Sequence, residues 1–189
     1  MKLTLSKIMQ IMRTVEKNDR WFFSVRNACA IADINDVKTV IKDLEYYVES
    51  DMIEHVGEDI YAFRIFSMVP CDAQEILTGA LRPNDLNYVS FEYALNQYGI
   101  ISQIPTVLTV ATTGDDGLYE SPSYRIEFNH VDHDFRKIME NCSLLGNSIL
   151  MASPEFAVGD LMFIGRNTHL IQEEEILEAQ EFYKNQQNR

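Results

Sequence analysis

Long hydrophobic runs are missing from this chain. No stretch reaches the roughly 18 apolar residues that a membrane helix needs, so no membrane span is expected. The first residues lack a charged region followed by an unbroken apolar run, so no secretory signal is expected. Glycine and proline are scarce, at 8 and 5 of 189 residues. No segment is low in complexity, and disorder is expected only at the polar tail, Asn185 to Arg189. The three cysteines, Cys29, Cys71 and Cys142, are odd in number and form no CxxC pair. That pattern fits reduced thiols in a cytoplasmic protein and not a disulfide framework.

Metal and catalytic signatures are also missing. A structural zinc site needs four closely spaced ligands. His130 and His133 form an HxxH with no cysteine beside it, and they read as surface histidines. No glycine-rich phosphate loop occurs: the turn Thr113-Gly114-Asp115-Asp116-Gly117 is not followed by the lysine and helix start such a loop requires. No Gly-x-Ser-x-Gly elbow is present. Asp132, His133 and Asp134 are adjacent, and adjacent side chains in a strand or turn diverge. The run Glu173-Glu174-Glu175 reads as a solvated helix face. Neither an enzyme nor a cofactor is expected.

What the chain has is acid, unevenly placed. The net charge is −13, which argues against non-specific nucleic-acid binding. Residues 1–69 carry 9 Lys/Arg against 11 Asp/Glu, whereas residues 70–189 carry 7 against 18. A locally basic surface on the first part is therefore compatible with the total. The acidic second part suits either solubility or docking of a basic protein.

Apolar spacing predicts a helix over Thr4–Glu16, capped by Thr4 or Ser6, with Leu5, Ile8, Met9, Met12 and Val15 on one face. Trp21-Phe22-Phe23 is a short strand or a lead into a second helix, Ser24–Ala32. Asp33-Ile34-Asn35 is a polar turn around one apolar plug. Asn35 is the expected N-cap of a third helix, Asp36–Glu49, whose core stripe is Val37, Val40, Ile41, Leu44, Tyr47 and Val48. Two alternating runs, Met52–Val56 and Ile60–Arg64, flank Gly57-Glu58-Asp59 and predict a hairpin. Helix, helix, turn, helix, hairpin is the winged helix-turn-helix order.

A domain boundary is expected between about Ser67 and Leu86, giving domains over 1–69 and 70–189. The second domain reads as mixed α/β, and the whole chain as α+β. Its expected elements are helices over Ala73–Leu81, Phe91–Tyr98, Ser153–Ile164 and Gln172–Tyr183, with strands near Val107–Ala111, Tyr124–Phe128 and Ser148–Ala152. Ser90 and Ser153 are expected N-caps, and Gly99 and Gly165 helix stops.

The candidate reading face lies on helices two and three. Ser24, Arg26 and Asn27 open helix two, where side chains and free N–H groups suit a phosphate. Lys38, Thr39 and Lys42 lie off the core stripe of helix three, with the two lysines one turn apart. Lysine suits a guanine edge or a phosphate, and threonine a thymine methyl. Asp36, Asp43, Glu45 and Glu49 share that helix, and Glu58 and Asp59 at the hairpin tip would repel phosphates. The same residues therefore also read as a solvated face in a domain that does not bind DNA.

Three segments resemble a known family. Tyr88-Val89-Ser90-Phe91-Glu92-Tyr93-Ala94-Leu95 through Gly99-Ile100 looks like the opening signature of AbiEi antitoxins, from type IV abortive-infection toxin–antitoxin systems. Thr106 to Thr113 follows as it does there, and Met151-Ala152-Ser153-Pro154-Glu155 through Asp160-Leu161 resembles the third element. The resemblance covers roughly residues 20–165. Phe156 stands where the family usually has lysine, and the hairpin is acidic where the family's is often basic. The resemblance implies an autorepressor that binds double-stranded DNA repeats in its own promoter through its first domain. It further implies an antitoxin countering a nucleotidyltransferase-like toxin, directly or indirectly. The alternative is a protein-interaction module with a winged-helix scaffold that binds a basic protein partner and not DNA.

Overall fold

A computed structural model of the chain describes residues 2–18, 20–64, 69–146 and 149–171. The fold is α+β, with helices and two sheets. The chain divides into two compact units, Met1–Cys71 with Glu120–Tyr124, and Asp72–Tyr119 with Arg125–Arg189. The return of Glu120–Tyr124 to the first unit has no counterpart in the sequence-based boundary at residue 69.

The first unit runs α1 (Leu5–Glu16), β1 (Phe22–Ser24), α2 (Val25–Ala32), α3 (Val37–Glu49), β2 (Ile53–Gly57) and β3 (Ile60–Phe63). In α1, Ile8, Ile11 and Val15 recur at three- and four-residue steps and are buried. They meet Ala28 and Ala32 of α2, whose small side chains let the two helices approach closely. Val40, Leu44 and Tyr47 are the buried positions of α3. The expected stripe on α3 was wider: Val37 is 49% and Ile41 38% exposed. Three antiparallel strands in the order β1-β3-β2 close the core with Phe23, Ile53, Tyr61 and Phe63. Trp21-Phe22-Phe23 thus leads into a paired strand, Phe23 opposite Tyr61.

Two buried polar groups in this unit are met by partners. Trp21 Nε1–H donates to the Tyr124 hydroxyl at 2.9 Å. The Glu54 carboxylate, 3% exposed, accepts from the hydroxyls of Ser121 at 3.1 Å and Ser123 at 2.8 Å. Arg64 Nε lies 3.7 Å from it. A carboxylate this far from water requires such donors.

The second unit runs α4 (Ala73–Leu81), β4 (Asn87–Val89), α5 (Phe91–Gln97), β5 (Leu108–Thr112), β6 (Gly117–Glu120), β7 (Arg125–His130), α6 (Phe135–Asn141), β8 (Cys142–Leu145), β9 (Ile149–Ala152) and α7 (Pro154–Ile164), then a 3-10 turn at Thr168–Leu170. Its six strands lie in the order β6-β7-β5-β4-β9-β8. β5 pairs antiparallel to β4 and parallel to β7, while β4 pairs parallel to β9. Central β5 is buried at all five positions, whereas β7 alternates, with Ile126 and Phe128 inward. Helices α5 and α7 pack on one another, and α5 lies on β5.

The strands β4, β6 and β8 and helix α6 carry no clear apolar period and are absent from the sequence-based expectation. Gly99, with φ 74°, and Gly165, with φ 67°, end α5 and α7 as expected. The expected helix over Gln172–Tyr183, the Glu173–Glu175 run and the tail from Asn185 lie outside the described residues. Among the described residues no helix is long and apolar enough to cross a membrane.

Leu44 is wholly buried at the centre of α3, and Tyr46 beside it is 64% exposed. Leu44→Ala is expected to destabilise the first unit by about 2–5 kcal/mol, and Tyr46→Ala by less than ~0.5 kcal/mol. Urea unfolding of the two variants checks the contrast.

Candidate functional site

The segment from Ser24 to Glu49 is built by three local devices. Ser24 caps α2 reciprocally: its hydroxyl accepts from Asn27 N, and Asn27 Oδ1 accepts from Ser24 N, both at 3.1 Å. Asp33 ends α2 in the left-handed region at φ 52°, a position aspartate tolerates better than most residues. Ile34 then plugs the core at 3% exposure, with its N–H donating to Cys29 O at 3.0 Å. The N-cap of α3 is Asp36 and not the expected Asn35. Asp36 Oδ1 accepts from Thr39 N at 3.3 Å and Oδ2 from the Thr39 hydroxyl at 2.6 Å. Those bonds hold the Asp36 carboxyl below its ordinary pKa.

These devices decide what the six candidate residues offer. Arg26, Asn27, Lys38 and Lys42 are exposed, and Ser24 and Thr39 half-buried. Ser24 and Thr39 are committed to helix caps, and Asn27 keeps only its amide N–H groups free of the capping box. Among the described residues no ion pair engages Arg26, Lys38 or Lys42.

The first unit is electrically divided, a feature the domain-wide charge conceals. Residues 1–32 carry six Lys/Arg and two Asp/Glu; residues 33–69 carry three and nine. On the basic side, Lys17, Asn18, Arg20 and Asn27 line a concavity of about 660 Å³ between α1 and α2. Arg13 and Lys17 line an adjoining one of about 560 Å³. Arg20 lies 5.8 Å over the Phe22 ring. Arg13, Lys17 and Arg20 are exposed and engaged in no ion pair among the described residues. Sequence reading passed over these three cations because it looked for a reading helix. A running charge count over half-domains would have found them.

In the second unit two motif segments meet around one carboxylate. Asp160 of α7 is 1% exposed. Its Oδ2 accepts from the Tyr88 hydroxyl at 2.9 Å and the Ser90 hydroxyl at 2.6 Å, and its Oδ1 lies 2.9 Å from His133 Nε2. Ser90 therefore sits at the N-cap position of α5 but spends its hydroxyl on Asp160, not on the expected cap. Ser153, by contrast, caps α7 by accepting from Phe156 N at 3.3 Å.

His133 is correspondingly not a surface histidine; its side chain is 15% exposed and wedged between Asp160 and Lys137. Phe156 stacks on Tyr88 at 5.6 Å, and Lys137 Nζ lies 5.7 Å over its ring, so a cation reaches this spot from α6. Burial, and then Asp160, pushes the Cys142 thiol up to about 12, leaving it an unreactive thiol.

Phe91, next to Ser90, holds φ 55° while wholly buried. A non-glycine residue there costs about 1–3 kcal/mol, offset by the buried ring and the Ser90–Asp160 bond. A second cluster joins α5 to the turn after α7. Arg166 bridges Glu92 and Glu127, its Nη1 2.7 Å from Glu127 and its Nε 3.1 Å from Glu92, and Asn167 donates to Glu92 at 2.8 Å. Both clusters are satisfied internally. Among the described residues no group of three or more His, Cys, Asp or Glu is placed to hold a metal ion.

No family model matches the chain, and no curated protein matches it.

Burial alone would raise the Glu92 pKa, but hydrogen bonds from Arg166 and Asn167 hold it below its ordinary value. A carboxyl more acidic in the folded state stabilises the fold above its unfolded pKa, about 4.3, and loses that contribution as pH falls through the folded value. Arg166→Met is expected to cost roughly 2 kcal/mol at pH 7, between the exposed and buried-pair ranges. The gap to wild type should narrow below about pH 4. Thermal unfolding across a pH series checks both expectations.

Proposed function

We propose that the chain is a DNA-binding autorepressor and the cytoplasmic antitoxin of a type IV, AbiE-like toxin–antitoxin pair. In this reading the first unit is a winged helix-turn-helix: α2, the Asp33–Asn35 turn and α3 form the helix-turn-helix, and β2–β3 the wing. The observation that carries the proposal is the set of exposed cations on this unit that engage no internal acid. Lys38 and Lys42 on α3 and Arg26 on α2 reach the target DNA, repeats in the promoter of its own operon. Ser24, Asn27 and Thr39 serve them by fixing the two helix starts. Arg13, Lys17 and Arg20 extend the contact along the phosphate backbone, which rewards cations without reading sequence. The wing tip stays off the phosphates, because Glu58 and Asp59 repel them.

Support for the antitoxin half comes from the resemblance of the three motif segments. Two of them meet in the second unit, Tyr88 and Ser90 against Phe156 and Asp160. The toxin countered is nucleotidyltransferase-like, reached directly or through its consequences. A second reading, a protein-interaction module that does not bind DNA, is favoured by the nine-to-three excess of acid over base in residues 33–69.

A gel-shift on the DNA upstream of the gene, over a salt series, tests the proposal. Specific binding that weakens as salt rises is expected. Lys38→Glu with Lys42→Glu should abolish it with the circular-dichroism spectrum unchanged. Lys17→Glu with Arg20→Glu should weaken binding equally on all sequences and lower the log–log salt slope by about 2. No shift at low salt refutes the repressor reading. A shift indifferent to both pairs moves the interface off this unit's helices.

A further inference from the structure

Between α3 and the hairpin on one side and the start of α2 on the other lies a groove of which the DNA reading uses only Arg26. It has a volume of about 690 Å³ and runs between α2, α3 and the β2–β3 hairpin. That volume lies within the range of formed binding cavities. Its apolar wall is the α3 stripe Val37, Ile41 and Val48, continued by Val25 and Cys29 of α2 and by Tyr61 of the hairpin. Val37 and Ile41 are more than a third exposed although their spacing suits a core. Two contacts fix the α2 and hairpin parts of this wall: His55 stacks on Tyr61 at 4.8 Å, and Val25 N–H donates to Asp59 O at 2.8 Å.

Carboxylates stand along both edges. Glu45 and Glu49 come from α3, Glu58 and Asp59 from the hairpin tip, and all four are exposed. None is engaged in an ion pair among the described residues. Burial first, and then the Glu45 and Asp59 carboxylates, raise the Tyr61 pKa, so acids from both edges act on the same wall residue. Against these four stand Arg26 and His55.

We infer that this groove binds the apolar face of a basic amphipathic helix supplied by a partner protein. Three observations select that occupant. The wall is a stripe of apolar side chains along one helix, the shape that an i, i+3/i+4, i+7 apolar face fills. The acidic edges lie on both sides of the stripe, matching lysines and arginines that flank such a face. The four carboxylates disfavour a nucleic acid within the groove itself, Lys38 and Lys42 lying on the adjacent outer face of α3. The inference does not depend on DNA binding.

The test uses the full chain and a designed, fluorescein-labelled helix of about 14 residues, ~21 Å long, with leucine on one face and lysine on its flanks. Titration by fluorescence anisotropy should give saturable binding. Amide shifts of the ¹⁵N-labelled protein should concentrate at Val37, Ile41, Val48 and Tyr61. Val37→Glu with Ile41→Glu alters exposed positions only and should weaken binding at least ~10-fold. A peptide with serine for leucine, at equal charge, should bind no better than that variant does. Binding unchanged in the variant, or equal for the serine peptide, would mean diffuse attraction to an acidic protein and overturn the proposal. Sedimentation as a dimer that Ile41→Glu converts to monomer would give the groove to a second copy and equally overturn it.

Discussion

A carboxylate removed from water must be met by donors or lose its charge, and Asp160 organises the second unit around that requirement. Its partners come from the middle of β4, the residue before α5 and the loop before α6. Segments 27 to 72 positions apart in sequence are thereby fixed to one pair of oxygens. The demand is directional, unlike apolar burial, so it sets position as well as compactness. A strained residue lies beside it: Ser90 is turned toward Asp160, and the next residue, Phe91, takes the left-handed region as the chain enters α5.

The first unit follows another logic. Its core is apolar and ordinary, and its two polar faces oppose each other electrically. Cations gather on α1 and the start of α2, carboxylates on α3 and the hairpin. A unit with nearly balanced charge thus carries a surface of cations without an ion pair and a surface of carboxylates beside an apolar stripe. α3 belongs to both, with Lys38 and Lys42 one residue round the helix from Val37 and Ile41.

The elements with a strong period were legible in the sequence: α1, α2, α3, the hairpin, β5, β7 and α7. The short strands β4, β6 and β8 were not, because three or four residues do not establish an alternation. The α3 stripe shows a different limit. Val37, Val40, Ile41, Leu44, Tyr47 and Val48 form one apolar arc, but a small core reaches only Val40, Leu44 and Tyr47. Spacing gives the arc and not how much of it finds a neighbour. His133 was misread because its partner lies 27 residues away, beyond any local pattern. Ser90 was misread because an N-cap serine and a serine that serves a buried acid look alike in sequence.

The apolar remainder of that arc now weighs on the choice between the two readings of the protein. Val37 and Ile41, 49% and 38% exposed, stand beside four carboxylates that engage in no ion pair among the described residues. Their presence is accounted for once the groove has an occupant of its own. The lysines on the neighbouring face fit the polyanion of the proposed reading. A helix that meets both partners reconciles the acid of α3 and the hairpin with a DNA-binding role, where a single-partner account leaves half of its surface without a reason.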